Sequence, residues 1–278
     1  MSMRSKALWL SLLLALMNLP VQAEDACEKL VATGNPEYPP YLWRDPANPG
    51  QLIGANAELL QHLGKELGLT IEVIHTGTWA RAQEEARSGR VDLLAGAFLT
   101  VPRLGVMDYI HPAFYETPSV VWTQRGKSFA YSGWADLVGK QGATLVNNSF
   151  GQGFDQFAGQ SLQIQQLPSL TQALQMLLLG RVDYVLYERY PSVALARQLG
   201  MQEQLESLEP PISSEGLYLT LSHNSACNDA RLRGQLAQKM TELLATDLPE
   251  IILQRNIERW QGQQVTPVEA PAAEENPL

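Results

Sequence analysis

The chain has 278 residues, 45% of them hydrophobic and 18% charged, with a formal net charge of -9 and a pI near 5.0. That is an ordinary globular composition, with length for one large or two modest domains. An acidic chain without a basic stripe argues against a nucleic-acid partner, which would have to be met by neutralising phosphates.

Arg4 and Lys6 precede an apolar run over 7–19, Pro20 breaks it, and Val21-Gln22-Ala23 offers a cleavage site. The pattern predicts a secretory signal peptide over 1–23, since the run is too short to cross a membrane. The alternatives are an uncleaved anchor or a core helix. The mature chain is expected to begin at Glu24 and to be periplasmic. Two cysteines remain, Cys27 and Cys227. In an oxidising compartment an even pair reads as a disulfide. Two unpaired thiols are one alternative. A lipid on Cys27 is another, disfavoured by Glu24 and Asp25 before it.

Leu30 to Thr33 reads as a first strand, followed by a Pro- and aromatic-rich loop over 35–50 that carries Tyr38, Tyr41 and Trp43. Such a stretch suits neither a helix nor a central strand. Its aromatics wall a cleft or plug a surface. Asn56 is the expected N-cap of a helix with Leu59, Leu60, Leu63 and Leu67 inward and Gly68 at its end. A strand over 70–75 follows. Trp79, Ala82 and Ala86 then mark one face of a second helix, Gly89 its stop, and 91–97 a doubly covered strand. Arg103 stands where the chain leaves that strand's carboxyl end, the edge at which open α/β sheets bind ligands. These elements spell βαβαβ and a parallel sheet.

The stretch 108–116 reads as a turn-rich connector and Pro118 to Gln124 as an extended crossing. A strand over 143–146, the polar loop with Asn148 and Ser149, and a helix from Gly153 make a natural anion site, or a capped helix start. Ser169 caps a helix from Leu170, and a strand over 182–187 ends at Glu188. Gly180-Arg181-Val182-Asp183 repeats Gly89-Arg90-Val91-Asp92 letter for letter in the same helix–strand setting, which suggests two similar α/β lobes. A helix over 190–199 follows, then a second crossing over 215–221. Asp229 caps a helix, and a last one runs from Pro249 to near Trp260. The end, 263–278, is Pro-, Ala- and Glu-rich and is expected to be disordered.

Taken together, Tyr38-Pro39-Pro40-Tyr41, Gly54 with Asn56 and Glu58, Trp79 before Asp92, and Thr100-x-x-Arg103 form a pattern. It continues with His111-Pro112-Ala113-Phe114-Tyr115, Gly180-Arg181-Val182-Asp183 and the late helix. From about Lys29 to Gln261 the chain resembles periplasmic solute-binding proteins of the polar amino acid type, family 3. The resemblance implies an α/β, two-lobed flytrap fold: two parallel-rich sheets joined by two hinge strands. Lobe 1 is expected over 24–121 plus 216–262, and lobe 2 over 122–215. The resemblance also implies that Arg103 grips a ligand's α-carboxylate and Glu188 its α-amino group. Tyr38, Tyr41, Trp79, Asn148, Ser149 and the backbone of Gly96, Ala97 and Phe98 complete the expected contacts. Two features depart from the family: Glu188 stands where Asp is usual, and the Asp92–Thr100 loop is one residue shorter. A planar guanidinium fork matches a carboxylate and stays charged in a dry cleft.

The chain carries no phosphate loop or nucleophile elbow, and His62, His75, His111 and His223 lack metal-ligand spacing. No cofactor or metal is expected. The expected role is a monomeric binding protein that delivers an amino acid or similar zwitterion to a membrane ABC importer. A sensor partner docking on a membrane receptor would use the same chemistry. A dehydratase-like enzyme, with Glu188 or Glu116 as acid, is the third reading.

Overall fold

A computed structural model describes residues 27–265. The signal peptide expected over 1–23, and the tail beyond 265, lie outside the described residues. Strands β1 (Lys29–Thr33), β5 (Thr70–Val73) and β6 (Leu93–Phe98) form a parallel trio, with α1 (Ala55–Leu67) and α2 (Trp79–Arg87) as crossovers. Strands β8 (Gln141–Leu145), β9 (Gln163–Leu167) and β10 (Tyr184–Glu188) form a second, with α4 (Gln152–Ser161) and α5 (Leu170–Leu178). Between the trios run two long antiparallel strands, β7 (Met107–Gln124) and β11 (Leu205–Ser222). The strand order is β5-β1-β6-β11-β7-β10-β8-β9, so one ribbon of eight strands links two lobes.

The structure revises several local expectations. β7 and β11 are each 18 residues long, so the stretch 108–116 is strand, not connector, and β11 starts ten residues before Glu215. Pro112 of β7 and Pro210 and Pro211 of β11 sit in excursions where the ladder breaks, whereas Pro118 stays paired with Ser214. His111 to Phe114 lie between the β7 residues paired with Leu217 and Leu219, and Glu209 to Ile212 between paired Leu208 and Ser213. Pairing carries the element despite residues that read as turns. The aromatic loop over 35–50 is a small antiparallel sheet of β2 (Glu37–Tyr38), β3 (Leu42–Arg44) and β4 (Leu52–Ile53). Pro39 and Pro40 occupy its turn. β9, with the polar sequence QIQQL, gives no apolar signal and is held by its edge pairing with β8.

Asn56 is not the cap of α1. Gly54 takes that position with φ 130°, where an added Cβ would meet the Tyr41 carbonyl oxygen at 2.5 Å. Asn56 is buried as the second residue of the helix and donates from Nδ2 to the Ala95 carbonyl (2.7 Å), tying α1 to β6. Gly68 ends the helix in the left-handed conformation.

The four-letter repeat has one job in both lobes. Gly89 and Gly180 hold positive φ after their helices. Asp92 Oδ2 then accepts from Val31 N (2.7 Å), and Asp183 Oδ2 from Gln141 N (2.8 Å). Each carboxylate pins the neighbouring strand. Cys27 and Cys227 are disulfide-bonded across 200 residues, with Cα atoms 5.7 Å apart. Helix α6 (Arg189–Gln198) follows β10, and the helices α7 (Ala230–Leu244), capped by Asp229, and α8 (Leu248–Val265) return to lobe 1. α8 passes Trp260, so the expected boundary at 263 falls inside it. Trp43 packs on Trp260 (5.3 Å between centroids) and donates to Gln263. It is therefore a clamp on α8, not a wall of the cleft.

Candidate functional site

The carboxyl ends of β1, β6, β8 and β10 meet at the gap between the lobes. A cavity there is lined by Asn35, Tyr38, Trp79, the backbone run Ala95 to Phe98, Arg103, Asn148 and Glu188, with Leu42 and Leu217 behind. It measures about 20 Å³, room for a water molecule or so. A larger occupant requires the lobes to part or side chains to turn.

Arg103 sits in α3 (Val101–Leu104), a single turn capped by Thr100 directly after β6. It is 9% exposed. Nη1 donates to the Phe98 carbonyl (2.9 Å), and Nη2 to Gln83 Oε1 (3.1 Å) and to the Asn147 carbonyl of lobe 2 (3.1 Å). The guanidinium lies 5.5 Å from the Trp79 ring centre, a cation–π distance. Tyr109 donates to the same Phe98 oxygen (2.7 Å). Burial lowers the Arg103 pKa, opposed by Tyr109, Asp155 and Glu188. A guanidinium has five N–H donors. Three are engaged as described, one from Nη1 and two from Nη2.

Glu188 ends β10 on the opposite lobe and is 3% exposed. Its Oε2 has no hydrogen-bond partner among the described residues. Burial pushes its carboxyl up to about 8, against the pull of its own backbone and of Arg103. A buried carboxyl without a partner is costly, and is either neutral or waiting for a cation.

Gly96 is the residue that lets β6 bend into this wall. Ala95 pairs with Leu219 and Ala97 with Tyr218, so Gly96 is the extra residue of a bulge, at φ 121°. The strand expected over 91–97 thus runs from Leu93 to Phe98 and takes up most of the stretch between Asp92 and Thr100.

Several expected contacts lie together here: Arg103, Glu188, Tyr38, Trp79, Gly96, Ala97, Phe98 and Asn148 all line the cavity. Two do not. Tyr41 is buried between Tyr38 and Tyr115, at 5.3 Å from each ring, as core. Ser149 turns away and donates to Asp155, which also accepts from Phe150 N (2.9 Å). The start of α4, expected to bind an anion, is therefore filled by the chain's own carboxylate. Glu116 is exposed on β7, outside the cavity. Asn35, Gln83 and Asn147 escaped the sequence reading. Asn147 at least carries a signal, since its φ of 58° is one that Asn tolerates among non-glycine residues. Among the described residues no cluster of His, Cys, Asp or Glu could hold a metal, and no helix is long and apolar enough to cross a membrane.

Three comparisons bear on this site. No curated protein sequence matches the chain. Solved structures do. A mutant of ArgBP from T. maritima superposes with a TM-score of 0.68 at 17% identity, covering 84% of this chain and 96% of that one. AbpA from Streptococcus pneumoniae, an amino acid ABC transporter substrate-binding protein bound to L-arginine, gives 0.69 at 18% identity, with 84% and 96% covered. A histidine kinase sensor domain with similarity to periplasmic binding proteins gives 0.70 at 23% identity, with 86% and 98% covered. The model of one family, bacterial extracellular solute-binding proteins, family 3, matches residues 30–251. A two-lobed α/β fold with a buried arginine and a buried glutamate facing one inter-lobe cavity thus belongs to a bacterial extracellular solute-binding protein of family 3.

Proposed function

We propose that this chain is an exported binding protein that holds an amino acid, or a similar small zwitterion, between its lobes for delivery to a membrane ABC importer. One observation supports this most: Arg103 and Glu188 are buried on opposite lobes, line one cavity, and form no ion pair with each other among the described residues. Arg103 receives the carboxylate through its guanidinium, and Glu188 receives the ammonium. Closing the lobes brings both charges of the zwitterion out of water together, where each pair is strongest. The lobes in this reading are 24–121 with 216–262, and 122–215, and the contact set is the eight cavity-lining residues without Tyr41 and Ser149. Binding of L-arginine by AbpA is in keeping with it.

Isothermal titration with the twenty common L-amino acids tests the proposal. At least one is expected to bind at one site per chain; binding by none overturns it. A second reading, capture of the same ligand as a sensor's input, is favoured by the structural likeness to a kinase sensor domain. Recovery of the ligand-bound protein on a membrane receptor, with none on a permease, would select it.

A further inference from the structure

The two charged ends of a zwitterion account for Arg103 and Glu188, and leave two buried N–H groups of the cavity unexplained. Trp79 Nε1 and Asn148 Nδ2 both belong to residues that line it, and neither has an acceptor among the described residues. They come from opposite lobes. Trp79 opens α2 and is 5% exposed. The Arg103 guanidinium lies over its ring, but an indole N–H lies in the ring plane and can only donate. Asn148 stands in the loop between β8 and α4. Gln83, one turn along α2 from Trp79, donates to the Asn147 carbonyl (3.2 Å), which keeps the two donors on facing sides of the gap. A buried donor without an acceptor is costly, and such groups are rare. Two in one cavity point to an acceptor that arrives with the ligand.

Charge decides which acceptor. Arg103 and Glu188 are the only charged side chains lining the cavity, and they balance. Asp155, which acts on Arg103, accepts from Ser149 and Phe150. Glu37 accepts from Leu170 and Thr171. Both carboxylates are therefore occupied, and a cationic side chain would be buried unpaired. An anionic one would leave the closed cleft with surplus negative charge. Either is expensive. An apolar side chain leaves both N–H groups unsatisfied. A neutral carbonyl oxygen has two lone pairs and takes both.

We propose that Trp79 Nε1 and Asn148 Nδ2 bind the side-chain carbonyl of a neutral amide amino acid, of the asparagine and glutamine class, and select it against basic, acidic and apolar ones. The inference rests on the zwitterion reading above and deepens it, adding the side chain to the two charged ends. Tyr38 Oη, also buried without a partner in a cavity-lining residue, accepts from the amide NH2.

The test is isothermal titration of the twenty common L-amino acids against the wild type, Trp79→Phe and Asn148→Asp. Asparagine or glutamine is expected to bind tightest, at least tenfold ahead of methionine, lysine and glutamate. Trp79→Phe keeps an aromatic ring and removes the N–H, so the preference for the amide over methionine is expected to fall about tenfold. Asn148→Asp turns a donor into an acceptor with a negative charge, and is expected to move the preference from the amide toward lysine and arginine. Variants that keep the wild-type ranking, including those that weaken every ligand alike as a purely structural role would, overturn the proposal. If one variant fails to fold, the other decides alone. A wild type that binds a basic, acidic, hydroxyl or apolar amino acid tightest overturns the proposal and leaves the zwitterion reading standing. Binding of none of the twenty removes that reading, and this one with it.

Discussion

Arg103 and Glu188 differ in how their burial is compensated. Arg103 has carbonyl and amide acceptors for three of its donors, whereas Glu188 Oε2 has none among the described residues. Arg103→Ala removes the carboxylate's receiver and leaves the Asn147 and Phe98 carbonyls short of a donor. Affinity is expected to fall at least a hundredfold, or about 3 kcal/mol, in titration. Glu188→Gln should also weaken binding, yet raise the melting temperature of the unliganded protein at pH 7, because it removes a buried, uncompensated carboxyl. The pH dependence has a definite sign. The Glu188 carboxyl moves from 4.5 toward 8 when buried, so closing without a ligand takes up a proton. Acid favours the unliganded closed form, and that advantage is lost as pH rises through this window, by about tenfold per pH unit. Small-angle scattering from pH 5 to 8 measures it, and a flat profile would count against the buried, partnerless carboxyl. The identities of both residues were legible in the sequence, because each follows the carboxyl end of a strand. Their unequal compensation was not, since it depends on Asn147 and Gln83, which come from other elements.

Elements meet across the gap through a second carboxylate. Glu37, on β2, accepts from Leu170 N (2.7 Å) and from the Thr171 hydroxyl (3.2 Å) at the start of α5 in lobe 2. The acceptor complements two donors at a helix N-terminus, and burial raises its pKa as it does for Glu188. Asn35 Nδ2 donates to the Tyr187 hydroxyl (2.6 Å) beside it. Glu37→Ala should therefore weaken ligand binding about fivefold, one capping interaction, while leaving the unliganded melting temperature unchanged. An unaltered Kd would show that the contact carries no closing energy. Helices and inner strands were readable because their periodicity and caps agree, as at Ser169 with Leu170 and Asp229 with Leu232. The small β2-β3-β4 sheet, the edge strand β9 and the prolines within β7 and β11 were not, because partners elsewhere in the chain hold them.

For the molecule as a whole, the disulfide joins the start of lobe 1 to the loop before its last two helices. A closed loop of 200 residues stabilises by about 5 kcal/mol in the chain-entropy model. Reduction, or the double change Cys27→Ser with Cys227→Ser, should lower the melting temperature by roughly 10 °C or more. Little change would mean that the reduced unfolded chain is already compact. Between the two proline-bearing excursions, the hinge ladder is unbroken over Tyr115 to Ser119 against Ser213 to Leu217. Those few rungs act as a ruler for the cargo. One added pair would turn every side chain beyond it to the wrong side. Two would restore the facing but slide Arg103 and Glu188 about 7 Å apart along the strands, a gauge too long for anything as short as an amino acid's two charged ends.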